Sequence, residues 1–195
     1  MNFLAHLYLS GDDHKTMIGN FIGDFVKGKD HERFHVKIKN GIILHREIDR
    51  YTDTHLIVKE SKKRLQPRYR HYAPVIADVF YDHFLSANWS NYSDTTLIEY
   101  TEAFYDLTEH FTSIIPDKAL NVLKYMKAGN WLFNYQHIDG IDQALTGMSR
   151  RTKFESGMEH ASEDLKLYYE DFKSEFEAFF PELIQHSKQF LISLK

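Results

Sequence analysis

Apolar residues recur along this chain with the period of an α-helix, and few segments alternate with the period of a β-strand. Met17, Phe21 and Phe25 mark a helix that should end near Gly28, and a second helix should run from about Phe34 to Asp53. The same pattern predicts further helices over residues 58–65, 73–89, 96–114, 130–137, 139–149, 161–180 and 182–194, with one more beginning at 116–117. No repeat or linker divides the chain, so we predict an all-α, single-domain helical bundle over residues 1–195.

The helix that begins at Ala73 is among the most apolar, yet it contains Asp78, Asp82 and His83. At 3.6 residues per turn these polar residues border the apolar side and do not lie opposite it. Burying an unpaired charge is costly, so each of them needs a partner. A metal ion or a substrate would be such a partner.

The second helix has polar residues in the middle of its apolar side. His45 and Asp49 are four residues apart and therefore adjacent, in line with Ile38 and Ile42. A buried His–Asp hydrogen bond between two helices is the simpler interpretation, and a functional site is the other. Arg46 and Arg50 lie on a neighbouring stripe, where they would place two cations beside a recessed site.

The first helix repeats this arrangement with Asn20 and Asp24, which are flanked by Gly19 and Gly23. Two glycines in a helix indicate close approach, either of a ligand or of a second helix packed through small residues. His6 lies in an apolar amino-terminal segment, where a histidine on its own would more simply be a core residue.

Composition narrows the function classes. The net charge of −4 argues against general nucleic-acid binding, and no apolar run is long enough to span a membrane. The amino terminus has no basic leader, and the absence of cysteine excludes disulfides, thiolate zinc sites and a cysteine nucleophile. A cytoplasmic enzyme or binding protein is therefore expected. The 12 histidines are unusually many for such a chain, and they are the one oddity in its composition.

Nitrogen and oxygen donors without thiolate suit Mn²⁺, Mg²⁺, Fe²⁺ or Zn²⁺. A metal of this kind activates water and polarises phosphoryl oxygens, so phosphoester hydrolysis is the reaction it suits best. The chain lacks the P-loop, dinucleotide-binding, serine-hydrolase and zincin motifs. The inward-facing donor candidates are His6, Asp24, His45, Asp49, Asp78, Asp82 and His83.

Basic residues cluster outside these helices. They are most often a solvated face, but in an acidic chain they could steer an acidic partner or a phosphate. The partner-binding candidates are Lys62, Lys63, Arg64, Arg150 and Arg151.

Five blocks of sequence resemble the acyl carrier protein (ACP) phosphodiesterases: NFLAHL (2–7), GNFIGDFVKG (19–28), GIILHREIDRYTD (41–53), DVFYDHFL (78–85) and GMSRR (147–151). The resemblance runs in order over essentially the whole length. It implies hydrolysis of holo-ACP to apo-ACP and 4′-phosphopantetheine, dependence on a divalent metal, Mn²⁺ in particular, and a distant relation to the helical HD phosphohydrolases. The chain contains no His-Asp dipeptide, so the HD pattern does not assign ligands here.

These observations lead to one hypothesis and two alternatives. Asp24, His45, Asp82 and His83 would bind one or two metals, and His6 and Asp78 are further ligand candidates. The catalytic candidates are Asp49, Arg46 and Arg50, with Asp49 orienting ligands and an arginine stabilising charge on the phosphoryl oxygens. One alternative is a metal-dependent hydrolase of a nucleotide or other small phosphoester. The other is a non-catalytic helical interaction protein.

Overall fold

A computed structural model describes residues 1–194 and confirms the all-α prediction, because no β-strand occurs in that part of the chain. None of its helices is both long and apolar enough to cross a membrane. Short 3₁₀ turns, of which Gly23–Phe25 matters most here, connect several of the helices. The α-helices are α1 (Phe3–Leu9), α2 (His14–Phe21), α3 (Val36–Thr54), α4 (Leu56–Tyr69), α5 (Ala73–Ala87), α6 (Leu97–Glu109), α7 (Asp117–Ala128), α8 (Trp131–Asn134), α9 (Ile138–Ser149), α10 (Ala161–Leu167) and α11 (Tyr169–Ser193).

Helices α2 and α3 pack with their backbones in direct contact. A Cβ atom on Gly19 would lie 2.1 Å from the Ile38 carbonyl oxygen, and one on Gly41 would lie 2.1 Å from the Thr16 carbonyl oxygen. Only glycine fits at such a distance. Gly19 therefore serves helix packing, one of the two interpretations that the sequence left open for Gly19 and Gly23.

Helix α5 is central, and most of its residues are buried. Its aromatic side chains pack edge-on against α11, with ring centroids 5.1 Å apart for Phe80 and Phe172 and 5.7 Å apart for Tyr81 and Phe176. Aromatic pairs of this geometry add to the stabilisation from burial alone. The polar residues of α5 are thus held rigidly between α1 and α11.

The helix boundaries differ from the prediction in three places that bear on the site. Residues 3–9 form a helix, and Asp24 lies in the 3₁₀ turn after α2 instead of within a helix. Helix α11 continues through Pro181, where the prediction placed a break. Phe179, Phe180 and Leu183 are fully buried around that proline, and their packing outweighs the lost backbone hydrogen bond.

Candidate active site

A cavity of about 540 Å³ opens between α1, the carboxyl end of α3, the start of α5 and the region from α7 to the segment after α9. Four carboxylates, those of Asp24, Asp49, Asp53 and Asp78, line one part of it. The remaining lining is largely apolar and comprises Phe3, Phe25, Pro74, Val75, Val122, Trp131 and Met148, together with Met1, Asn2 and Arg151. An apolar pocket with a few convergent polar groups is typical of a ligand site.

Two buried histidines converge on one of these carboxylates. His6 Nε2 lies 3.1 Å from Asp49 Oδ1, and His45 Nε2 lies 3.2 Å from Asp49 Oδ2. His45 Nε2 is also 3.2 Å from Asp24 Oδ1, and the two imidazole rings stack with centroids 4.0 Å apart. The ligand atoms of His6, His45 and Asp49 lie within 4.8 Å of one another, so all three can bind a single metal ion.

Asn20 fixes the orientation of both imidazole rings. Its amide nitrogen donates to the His6 carbonyl oxygen at 2.7 Å and to Ser10 Oγ at 2.9 Å. Its Oδ1 therefore accepts from His6 Nδ1 at 2.9 Å, and its backbone oxygen accepts from His45 Nδ1 at 2.8 Å. With Nδ1 engaged by Asn20 in both rings, each Nε2 faces the carboxylates and is the nitrogen that can bind a metal, the arrangement that metal-binding histidines adopt.

The acid–base properties of the cluster are unusual. Burial lowers the pKa of His6 to about 4, and the nearby charge of His45 adds to this effect. Burial acts in the same direction on His45, but the hydrogen bonds that its ring donates to Asp24 and Asp49 outweigh burial and raise the pKa to about 9. Asp49 is partly buried, which favours its neutral form, yet the hydrogen bond from His45 and the proximity of His6 and the Met1 ammonium hold its pKa well below the usual value. Neutral His6 therefore has a lone pair facing an ionised carboxylate, a contact that a bound cation would relieve.

Asp82 and His83 lie apart from this cluster. Asp82 is fully buried, and its carboxylate accepts the backbone N–H groups of Asn2, Leu4 and Ala5 at 3.2, 2.7 and 3.3 Å, so it caps the amino end of α1. Burial raises its pKa to about 7, against the effect of those donors. His83 contacts the Tyr135 carbonyl oxygen at 2.8 Å and the Tyr169 hydroxyl at 3.1 Å.

Asp78 lines the cavity beside the cluster, with Oδ1 3.0 Å from the Met1 nitrogen. Burial raises the pKa of this carboxyl group.

The two arginines predicted as catalytic do not line the cavity. Arg46 donates to the Val26 carbonyl oxygen at 2.9 Å, and Arg50 pairs with Glu47 at 2.5 Å and is largely exposed. Within the described residues, Arg151 is the one basic side chain that lines the cavity. The sequence brought it forward only as a partner-binding candidate.

The other partner-binding candidates have different surroundings. Arg64 forms a two-pronged ion pair with Glu175, with distances of 2.9 and 2.7 Å, and lies over the Phe172 ring. Lys62 pairs with Asp53 at 2.6 Å. The side chain of Lys63 is 76% exposed, and Arg150 is exposed as well.

Sequence reasoning missed Asp53 as a cavity residue, although it stands four residues after Asp49 on the same helix. That spacing was a usable signal, because residues four apart share a helix face. The sequence did indicate that Asn20 is an inward-facing polar residue. Its role in orienting the histidines could not be predicted, because that role depends on contacts between three helices.

Comparison with known proteins identifies the family of this chain. The family model described as acyl carrier protein phosphodiesterase matches residues 1–183. The chain belongs to the acyl carrier protein phosphodiesterase family. This confirms the resemblance found in the five sequence blocks.

Curated relatives named acyl carrier protein phosphodiesterase match over nearly their whole length. The protein from Enterobacter sp. (strain 638) is 32% identical over 96% of this chain and 98% of its own. The protein from Klebsiella pneumoniae (strain 342) is 33% identical over 95% of this chain and 96% of its own. No solved structure matches the chain, so the relation to HD phosphohydrolases stays a prediction.

Proposed function

We propose that this protein is a divalent-metal-dependent hydrolase that removes 4′-phosphopantetheine from holo-ACP and releases apo-ACP. The observation that carries the proposal is the pair of buried Nε2 atoms that face Asp49 on the wall of the cavity. Membership of the family adds the substrate, because the relatives are named for phosphodiesterase activity on ACP.

In this proposal His6, His45 and Asp49 bind the metal, and Asp24 is the fourth candidate ligand. Two neutral nitrogens and hard carboxylate oxygens suit Mn²⁺, with Mg²⁺, Fe²⁺ or Zn²⁺ as other possibilities of the same donor set. The bound cation would activate water and polarise a phosphoryl oxygen. Asp82 would support the site from behind by anchoring α1, the helix that presents His6.

The reaction forms a bond between the water oxygen and phosphorus and breaks the bond between phosphorus and the carrier serine oxygen, which takes up a proton. Asp24 lies at the cavity and is mostly exposed, and its hydrogen bond with His45 lowers its pKa. It is therefore ionised at neutral pH and can accept a proton from the attacking water. The apolar wall that contains Trp131 and Met148 provides a surface for the pantetheine arm.

The carrier protein would dock along a basic groove beside the cavity. Its lining residues are Lys59, Lys62, Lys63, Gln66, Arg70, His71, Ala73 and Pro74, and Pro74 also lines the cavity. Arg70 has φ of +50°, a backbone conformation that is strained for a residue with a side chain. As the docking surface for an acidic carrier, this groove replaces the predicted partner-binding residues that lie outside it, which are Arg150, Arg151 and Arg64, the last of them held by Glu175.

The proposal is tested by incubating purified protein with holo-ACP and Mn²⁺, with a chelator in the parallel reaction, and following the carrier by mass spectrometry. We expect loss of the phosphopantetheine group only with metal present. His45→Ala and Asp49→Asn should each lower turnover by at least about 100-fold and weaken Mn²⁺ binding measured by calorimetry.

His14→Ala is the matched control, because His14 is an exposed histidine at the start of α2. It should keep both turnover and metal affinity. Intact holo-ACP after incubation with stoichiometric metal-loaded enzyme would contradict the proposal. So would hydrolysis of a small phosphodiester without any action on the carrier.

A further inference from the structure

The charge balance of the cavity calls for a cation in addition to the metal. Four carboxylates line it, whereas a phosphodiester is itself an anion that gains negative charge as water attacks. Within residues 1–194, Arg151 is the one basic side chain among the lining residues. The Met1 ammonium also lines the cavity, but it is buried and paired with Asp78 at 3.0 Å and with Asp49 at 3.8 Å. The exposed Arg151 guanidinium is therefore the cation among the described lining residues that can offset charge on the phosphoryl oxygens.

Local contacts prepare Arg151 for this role. Its backbone nitrogen donates to the Met148 carbonyl oxygen at 3.0 Å, and its Nε donates to the Gly147 carbonyl oxygen at 3.1 Å. These bonds fix the side chain at the end of α9 and leave the four N–H groups of the two Nη atoms for a ligand. No carboxylate in the described part of the chain forms an ion pair with it, in contrast to Arg50, Arg64 and Arg68.

We infer that Arg151 is a catalytic residue that binds the non-bridging phosphoryl oxygens of the substrate in this cavity. A planar guanidinium can donate two parallel hydrogen bonds to two such oxygens. This inference rests on the proposed function. It gives Arg151 the role of stabilising phosphoryl charge, which the sequence pattern had given to Arg46 or Arg50.

The neighbouring residue provides a matched control. Arg150 is also exposed and carries the same charge, but it does not line the cavity. A general electrostatic effect on an acidic carrier would involve both arginines similarly. A direct contact with the phosphoryl group would involve Arg151 alone.

The experiment compares kcat and KM for holo-ACP in the wild type, Arg151→Gln, Arg151→Lys and Arg150→Gln, each loaded with Mn²⁺. We expect Arg151→Gln to lower kcat by about 100- to 1000-fold, as loss of a charge-stabilising donor does in other enzymes. Arg151→Lys should recover part of this loss. Arg150→Gln should keep kcat within about threefold of the wild type.

A second measurement does not depend on carrier turnover. Binding of inorganic phosphate to the Mn²⁺-loaded protein, measured by calorimetry, should weaken at least about tenfold in Arg151→Gln and stay unchanged in Arg150→Gln. Circular dichroism checks that both variants are folded. Equal kcat and equal phosphate affinity in the two glutamine variants would overturn the role of Arg151. Failure of the wild type to act on holo-ACP, with phosphate binding still lost in Arg151→Gln, would instead contradict the proposed function.

Discussion

Asn20 by itself holds both histidines of the candidate metal site in place. Its side chain holds His6, and its backbone oxygen holds His45. Both Nε2 atoms consequently face Asp49 before any ligand binds, so little rearrangement is needed to form the site. Asn20 is thereby as important to the geometry as the candidate ligands themselves.

The raised pKa of His45 has a consequence for stability in the absence of metal. Its pKa is about 9 in the folded protein against 6.5 for the ordinary group, so folding favours the protonated form. The resulting stabilisation is complete below pH 6.5 and is lost as the pH rises through 9. We expect the free energy of unfolding of chelator-treated protein, measured with urea, to fall by about 3 kcal/mol over this interval.

His45→Gln is the control for this pH dependence, because glutamine does not titrate. The variant should lose most of the fall between neutral and alkaline pH. His6 acts in the opposite direction and mainly below this interval, because its pKa is lowered from 6.5 to about 4 on folding. An equally steep fall in His45→Gln would contradict the assignment to His45.

At the residue scale, the sequence predicted which polar residues face inward better than it predicted the groups to which they bond. Helical periodicity placed His45 and Asp49 side by side, and the structure has them so. It also made Asp82 an inward residue that needs a partner, which is correct, but the partner is the backbone of α1. Periodicity describes one helix at a time, whereas a partner on another helix depends on how the two pack.

At the scale of elements, the close packing of α2, the following turn and α3 positions the candidate metal-binding residues. A Cβ atom on Gly23 would lie 2.2 Å from Cγ of His45. Gly23→Ala should therefore displace the imidazole, weaken Mn²⁺ binding by at least about tenfold and lower the free energy of unfolding by about 1–3 kcal/mol. Calorimetry with metal and urea denaturation measure the two effects.

Gly147→Ala is a stability control for this substitution, because a Cβ atom on that helical glycine would contact nothing within 4 Å. It should keep or raise the free energy of unfolding by up to about 1 kcal/mol, since alanine favours helix more than glycine does. Unchanged metal affinity in Gly23→Ala would show that His45 does not need its present position to bind metal.

The sequence predicted most of the helices, but it missed α1 and the turn that carries Asp24. Both elements are short, and their stability comes from the contacts that they make. The cap from Asp82 and the burial of Leu4 and Leu7 hold α1 in place. Periodicity over so few residues gives no comparable signal.

At the scale of the whole molecule, positive and negative charge occupy neighbouring surfaces despite a net charge of −4. The basic groove lies beside the carboxylate-lined cavity, with Pro74 at their border. Lys63→Glu in the groove should raise KM for holo-ACP by about tenfold and weaken its dependence on salt, with kcat nearly unchanged. Steady-state kinetics at two ionic strengths measure these changes.

Lys188→Glu on α11 makes the same change of charge at an exposed position outside the groove. Its KM and salt dependence should remain close to those of the wild type. If both variants raised KM equally, net charge and not the groove would govern carrier binding.

The order of the candidate metal-binding residues along the chain has a consequence for synthesis of the protein. His6, Asp24, His45 and Asp49 all precede α4, whereas the helices that enclose them extend to Ser193. During translation these side chains leave the ribosome well before α5 supplies the cap for α1 and before α9 and α11 close the structure. A nascent chain thus exposes these imidazoles and carboxylates early, and the candidate site is completed only when the last helices have been made.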